Sequence, residues 1–139
     1  MTKPLSLIVE DDADLSEIFR EALSAAGFST EVIRDGQSAR DRLLEVIPNV
    51  VILDLHLPNV SGETLLQQIR EAPQLSNTRV VVTTADALAA DFLRESADFV
   101  MVKPISYVQL RDLAKRLNPD LQTNKFKNAN FPDQDNNNG

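Results

Sequence analysis

Four clusters of polar side chains in this 139-residue chain are of types that do chemistry on charged oxygen: Glu10-Asp11-Asp12, a lone Asp54, Thr83-Thr84, and Lys103 followed by Pro104. Each comes directly after an apolar run: residues 5–9, 50–53, 80–82 and 99–102. Carboxylates gathered at one point repel, and without a cation the repulsion raises a carboxyl pKa. A magnesium ion relieves that strain, because it takes oxygen ligands, keeps some of its waters and shares phosphate oxygens. A lysine opposite the acids and a hydroxyl alongside would supply a positive charge and a donor. Phosphoryl transfer needs mainly such positioning and charge stabilisation.

Each cluster taken alone has a plainer explanation. Asp12 suits a helix N-cap, and acids at a strand end are usually just solvated surface. Asp54, ahead of Leu55-His56-Leu57-Pro58, suits a turn. Thr84-Ala85-Asp86 suits the opening of a helix, and Lys103 a surface position before a proline. Their succession at the ends of consecutive apolar runs is what outweighs these explanations.

The elements that must position these residues are legible as an alternation. Leu5-Ser6-Leu7-Ile8-Val9, Val50-Val51-Ile52-Leu53 and Val80-Val81-Val82 are short and nearly continuous apolar runs, as strands buried on both faces of a parallel sheet are. Thr30-Glu31-Val32-Ile33 is mixed, as an edge strand would be, and residues 97–102 supply a fifth strand. Between them, Leu15, Ile18, Phe19, Ala22, Leu23 and Ala26 recur at helical spacing, with Gly27 placed to end the helix. Asp35 caps a second helix with Ala39, Leu43, Val46 and Ile47 inward, and Ser61 caps a third with Leu65, Leu66 and Ile69 inward, stopping near Pro73. Residues 86–94 form a short, Ala-rich helix that is apolar almost all round; the last helix carries Leu110, Leu113, Ala114 and Leu117. Strand–helix repeats of this kind give an α/β fold, a doubly wound parallel sheet with right-handed crossovers and helices on both faces. Ligands then sit beyond the carboxyl ends of the strands, where all four clusters fall.

Composition narrows the class further. A net charge of −7 argues against a nucleic-acid surface, and the absence of cysteine removes disulfides and thiolate metal sites. No apolar stretch is long enough to span a bilayer, and the acids at positions 10–12 interrupt any secretory signal, so the expected location is cytoplasmic. Residues 1–118 read as one domain. Residues 119–139, rich in Asn, Gln and Asp, read as a disordered tail with Phe126 and Phe131 as docking points.

The segments Leu7-Ile8-Val9-Glu10-Asp11-Asp12, Val51-Ile52-Leu53-Asp54-Leu55-His56-Leu57-Pro58, Ser61-Gly62, Val82-Thr83-Thr84-Ala85 and Val102-Lys103-Pro104 resemble, in order and spacing, the receiver domains of two-component response regulators. The resemblance implies a CheY-like, flavodoxin-type (βα)5 fold with strand order 2-1-3-4-5. It implies Asp54 as phosphoacceptor and Mg2+ as cofactor. Asp11 would hold the metal directly and Glu10 through water, with Asp54 and the backbone carbonyl of His56 completing the protein ligands. Thr84 and Lys103 would engage the phosphoryl oxygens, and the Lys103-Pro104 bond would be cis. The implied partners are a histidine kinase or phosphotransfer protein and a downstream protein target, with self-association on phosphorylation. No direct nucleic-acid or membrane contact and no enzymatic output are expected. Because no further domain follows residue 117, the chain would act by binding partners or be part of a longer regulator.

Two positions depart from the family pattern. Val100 stands where the family has an inward-swinging aromatic, and Ser96 where glycine is common. Both bear on the route by which phosphorylation reshapes the surface, for which Tyr107 is another candidate, and neither bears on chemistry at Asp54. The side chain of His56 is expected to lie near the path of attacking water and to tune the phosphate lifetime. The alternative is a phosphate-independent, receiver-like interaction module, against which the complete site set argues. An aspartyl phosphatase would carry a second Asp where His56 stands. A flavodoxin-like cofactor protein would not place three acids after its first strand, where a phosphate would have to sit.

Overall fold

The computed structural model describes residues 2–121. Five strands, β1 (Leu5–Val9), β2 (Ser29–Ile33), β3 (Val50–Asp54), β4 (Arg79–Thr84) and β5 (Phe99–Val102), form one parallel sheet in the order β2-β1-β3-β4-β5. The helices α1 (Ala13–Ala25), α2 (Gly36–Arg42), α3 (Gly62–Glu71), α4 (Ala87–Leu93) and α5 (Tyr107–Leu117) alternate with them. The expected strand order is therefore the observed one.

Alternation along each strand divides the core in two. Leu7, Val9, Val51, Leu53, Val80 and Val82 point to one layer, against Leu65, Leu66 and Ile69 of α3. Ile8, Val50, Ile52 and Val81 point to the other, against Phe19, Ala22 and Leu23 of α1 and Leu110, Leu113 and Ala114 of α5. The three inner strands are buried on both faces, whereas β2 and β5 are only partly buried, as edges of a doubly wound sheet must be.

Local capping chemistry starts the first four helices where the sequence suggests, and the last at Ser106, which the sequence reading did not single out. Asp12, Asp35, Ser61, Asp86 and Ser106 each accept a hydrogen bond from a backbone N–H of the first turn. Gly27 takes a φ of 96° after α1, a conformation that a β-carbon would strain. Two inner-face expectations do not hold. Ile18 is 39% exposed, because the sheet-facing stripe of α1 is carried by Phe19, Ala22 and Leu23. α2 ends at Arg42, so Ile47 falls beyond the helix and is exposed. Val46 still packs at the margin of the core.

At the far end, Asn118 is buried and donates through Nδ2 to the Ala26 carbonyl at 2.9 Å, tying the end of α5 to the end of α1. Phe126 and Phe131 lie outside the described residues.

Candidate functional site

Strand register brings the four polar clusters to one edge. Val9 pairs with Leu53, so Glu10 and Asp54, one residue further along, emerge side by side from the two central strands. Asp54 pairs with Thr83, and Thr84 with Val102, which places Lys103 next in line on the outer strand. The β5 ladder runs one bond past the strand, from the Lys103 amide to the Thr84 carbonyl at 2.7 Å.

Glu10 and Asp54 are buried, at 2% and 3% exposure, while Asp11 is open to solvent. Carboxylate oxygens of Glu10, Asp11 and Asp54 all lie within 4.8 Å of one another. The Lys103 ammonium answers them, with Nζ 3.1 Å from Glu10 Oε1 and 3.5 Å from Asp54 Oδ1. Backbone donors fix the acids further: the Asp12 amide reaches Glu10 Oε2 at 3.1 Å, and the His56 amide reaches Asp54 Oδ1 at 3.2 Å.

The electrostatics record the crowding. Burial, helped by the Asp54 charge, pushes the Glu10 carboxyl up to about 7, against the lowering effect of the Asp12 amide and Lys103. Burial by itself would lower the Lys103 ammonium, but the hydrogen bond and charge of Glu10, with Asp54 behind it, carry it above its ordinary value. One lysine thus serves two acids, and a cation of higher charge would be more effective still. The donor set is all oxygen, the kind a hard divalent ion takes.

The remaining expected residues are placed as follows. The Thr84 hydroxyl is buried and accepts from the Asp86 amide at 3.0 Å, so it faces the loop leading into α4. The His56 side chain, two residues after Asp54, is exposed. Lys103-Pro104 is cis. Val100 packs in the layer of Val82, whereas Phe99 and Tyr107 pack in the opposite layer, with the Arg111 guanidinium 5.7 Å from the Tyr107 ring. Neither aromatic therefore occupies the space beside Val100. Ser96 needs no special backbone, since among the described residues the positive φ values belong to Gly27 and Asn59.

Sequence reasoning missed two contributors, Arg34 and Gly36, and the steric role of a third, Gly62. Arg34, after β2, donates from Nε and Nη2 to the Asp11 carbonyl at 3.1 and 2.9 Å, fixing the acidic loop from the neighbouring strand end. Nothing local in the sequence pairs residues so far apart. Gly62 lets α3 begin against the end of β3: a β-carbon there would stand 2.4 Å from the Asp54 carbonyl oxygen. At Gly36 a β-carbon would stand 2.0 Å from the Val60 carbonyl oxygen, so the β3–α3 loop rests on the bare backbone of α2. The Ser61-Gly62 pair was visible as a motif; its steric reason was not.

Comparison with known proteins agrees with the fold. The sequence pattern of the response regulator receiver domain matches residues 6–115. The chain is 33% identical over 125 residues to the phosphate regulon transcriptional regulatory protein PhoB of Rhizobium meliloti, covering 85% of this chain and 55% of that protein. It thus spans about half the length of that relative. Among solved structures, the bacteriophytochrome response regulator RtBRR superposes with a TM-score of 0.71 at 32% identity, covering 83% of this chain and 78% of the other. The chemotaxis response regulator CheY4 of Vibrio cholerae shares the fold, with a TM-score of 0.76 at 22% identity over 84% of this chain and 99% of that one. The chain belongs to the response regulator receiver domain family. Among the described residues, no helix is long and apolar enough to cross a membrane.

Proposed function

We propose that this domain is a phosphoacceptor switch in which Asp54 takes a phosphoryl group from a histidine kinase or histidine phosphotransfer protein. The observation that carries the reading is the setting of Asp54: buried at the end of a central strand, 3.5 Å from Lys103 Nζ and clustered with Glu10 and Asp11. A structural acid would be paired once and left. Here two further acids are held beside it, an arrangement costly without a cation.

Asp11, Asp54 and the His56 carbonyl would hold Mg2+, with Glu10 acting through water. When bound, the ion supplies charge neutralisation for the acidic cluster and for the phosphoryl oxygens. An Asp54 carboxylate oxygen bonds to phosphorus as the P–N bond of the phosphohistidine breaks, and that electron pair stays on the imidazole. Lys103 pairs with the incoming negative charge. The Thr84 hydroxyl leaves the Asp86 amide and donates to a phosphoryl oxygen, drawing the β4–α4 loop inward. Output is phosphorylation-dependent binding of a downstream protein, self-association included, as a shift between pre-existing conformations. Residues 1–118 form the switching unit in this reading.

The test is intact-protein mass after incubation with acetyl phosphate and Mg2+. Wild type gains one phosphoryl group, the gain is lost with EDTA, and Asp54→Asn gains none. An unmodified wild type in samples quenched early with acid would instead favour a phosphate-independent interaction module.

A further inference from the structure

Among the described residues, two buried side-chain hydroxyls have no hydrogen-bond partner, those of Ser6 and Thr83. An orphaned buried hydroxyl costs about 1–3 kcal/mol, so one that sits beside chemistry calls for a reason. Thr83 sits beside chemistry. It is fully buried, it is the residue paired with Asp54 across the β3–β4 ladder, and its carbonyl accepts the Leu55 amide at 3.0 Å.

Its side chain also faces the acceptor. Val50 and Ile52 of β3 and Val81 of β4 belong to the layer of α1 and α5. Strand alternation therefore puts Asp54 and Thr83 on that same face, with backbones about 4.8 Å apart. Lys103, following β5, reaches across the neighbouring β4 to bring Nζ within 3.5 Å of Asp54 Oδ1. The hydrogen bond and the ion pair that Asp54 makes with described residues both fall on Oδ1. Thr84, by contrast, is already engaged with Asp86.

We propose that Thr83 is a positioning residue for the acceptor: rotated about χ1, its hydroxyl donates to the Asp54 carboxyl group and stabilises charge returning to it. The proposal rests on the phosphoacceptor reading above. In hydrolysis, a water oxygen bonds to phosphorus, the bond from phosphorus to the Asp54 oxygen breaks, and its electron pair stays on the carboxylate. Inorganic phosphate leaves, and the water's surplus proton passes to solvent. A donor on the carboxyl group stabilises the departing carboxylate and makes it a poorer nucleophile, so it shortens the life of the phosphorylated state. The hydroxyl thus acts on Asp54 from within the sheet, separately from the Thr84 hydroxyl.

Thr83→Val removes the hydroxyl at nearly constant shape, Thr83→Ser keeps it, and Ser6→Ala deletes the other orphan at the opposite end of the sheet. Each is phosphorylated with acetyl phosphate and Mg2+, desalted, and followed by intact mass as the adduct decays. Thr83→Val should prolong the adduct about three- to tenfold, the worth of one hydrogen bond, with wild-type decay in Thr83→Ser and Ser6→Ala. Decay of Thr83→Val within twofold of wild type, or faster, overturns the proposal and leaves the phosphoacceptor reading standing. No adduct on wild type removes both. Urea unfolding of the same proteins separates the roles, since a purely structural hydroxyl would change stability without moving the decay rate.

Discussion

Glu10→Gln tests the electrostatics of the site without any phosphodonor. In the folded protein the Glu10 carboxyl is pushed up to about 7 from an ordinary 4.5, chiefly by burial, with Asp54 adding to the effect. Between those two values the folded state keeps a proton that the unfolded chain has released. Stability therefore falls as pH rises through that window, and the loss is complete above about 7. At about 1.36 kcal/mol per pH unit, the contribution is on the order of 3 kcal/mol. An amide cannot titrate, so the variant lacks this slope; its single oxygen keeps an acceptor for one of the two donors, Lys103 or the Asp12 amide, and its NH2 meets the other, a loss that does not vary with pH. Urea unfolding of both proteins in EDTA, from about pH 5 to about pH 8, isolates Glu10 as the difference between the two curves. The variant should gain about 3 kcal/mol relative to wild type across that range. Saturating Mg2+ should flatten the wild-type curve, because the ion favours the ionised carboxylates, and Mg2+ affinity should weaken as pH falls below about 7. Parallel curves, with a difference constant to within about 0.5 kcal/mol, would refute the claim that the acidic cluster is under strain.

Other perturbations probe the scaffold and the switch. Arg34→Met should weaken Mg2+ binding by about tenfold in calorimetry, since an outer partner that orients a ligand loop is typically worth that much, while leaving the unfolding midpoint little changed. Gly36→Ala and Gly62→Ala place a β-carbon against the Val60 and Asp54 carbonyl oxygens; both should lose about 2–4 kcal/mol in urea unfolding. On the proposed function, Gly62→Ala should also slow phosphorylation by acetyl phosphate, because the atom it displaces belongs to Asp54. His56→Ala should change the decay rate of the phosphorylated protein without changing its stability, and identical decay would remove the side chain from any role in hydrolysis.

The chain's own pattern determined the architecture. Inner strands buried on both faces must be apolar at successive positions, so residues 7–9, 50–53 and 80–82 declared themselves, and helix caps at Asp12, Asp35, Ser61 and Asp86 needed only their own first turns. The acids, hydroxyls and lysine were legible as a site because a parallel sheet delivers every strand end to one edge. Helix faces were less secure. A run such as 39–47 has apolar residues at helical spacing on both sides of the point where α2 ends, and the periodicity does not say which of Val46 and Ile47 the core will accept.

Tertiary structure alone decided the contacts that close the site. Arg34 reaches Asp11 because β2 lies beside β1, and Lys103 reaches Glu10 across 93 positions of sequence because the sheet order brings β5 to β4 and the lysine spans the rest. The glycines at 36 and 62 are explained by backbone from elsewhere in the chain. Burial, which turns Glu10 from a surface acid into one that holds its proton to about 7, is a property of the assembled core. The same holds for Thr83, whose neighbour across the ladder is set by register between strands that are distant in sequence. Short-range patterning fixes which face a side chain takes, and only packing fixes what it meets there.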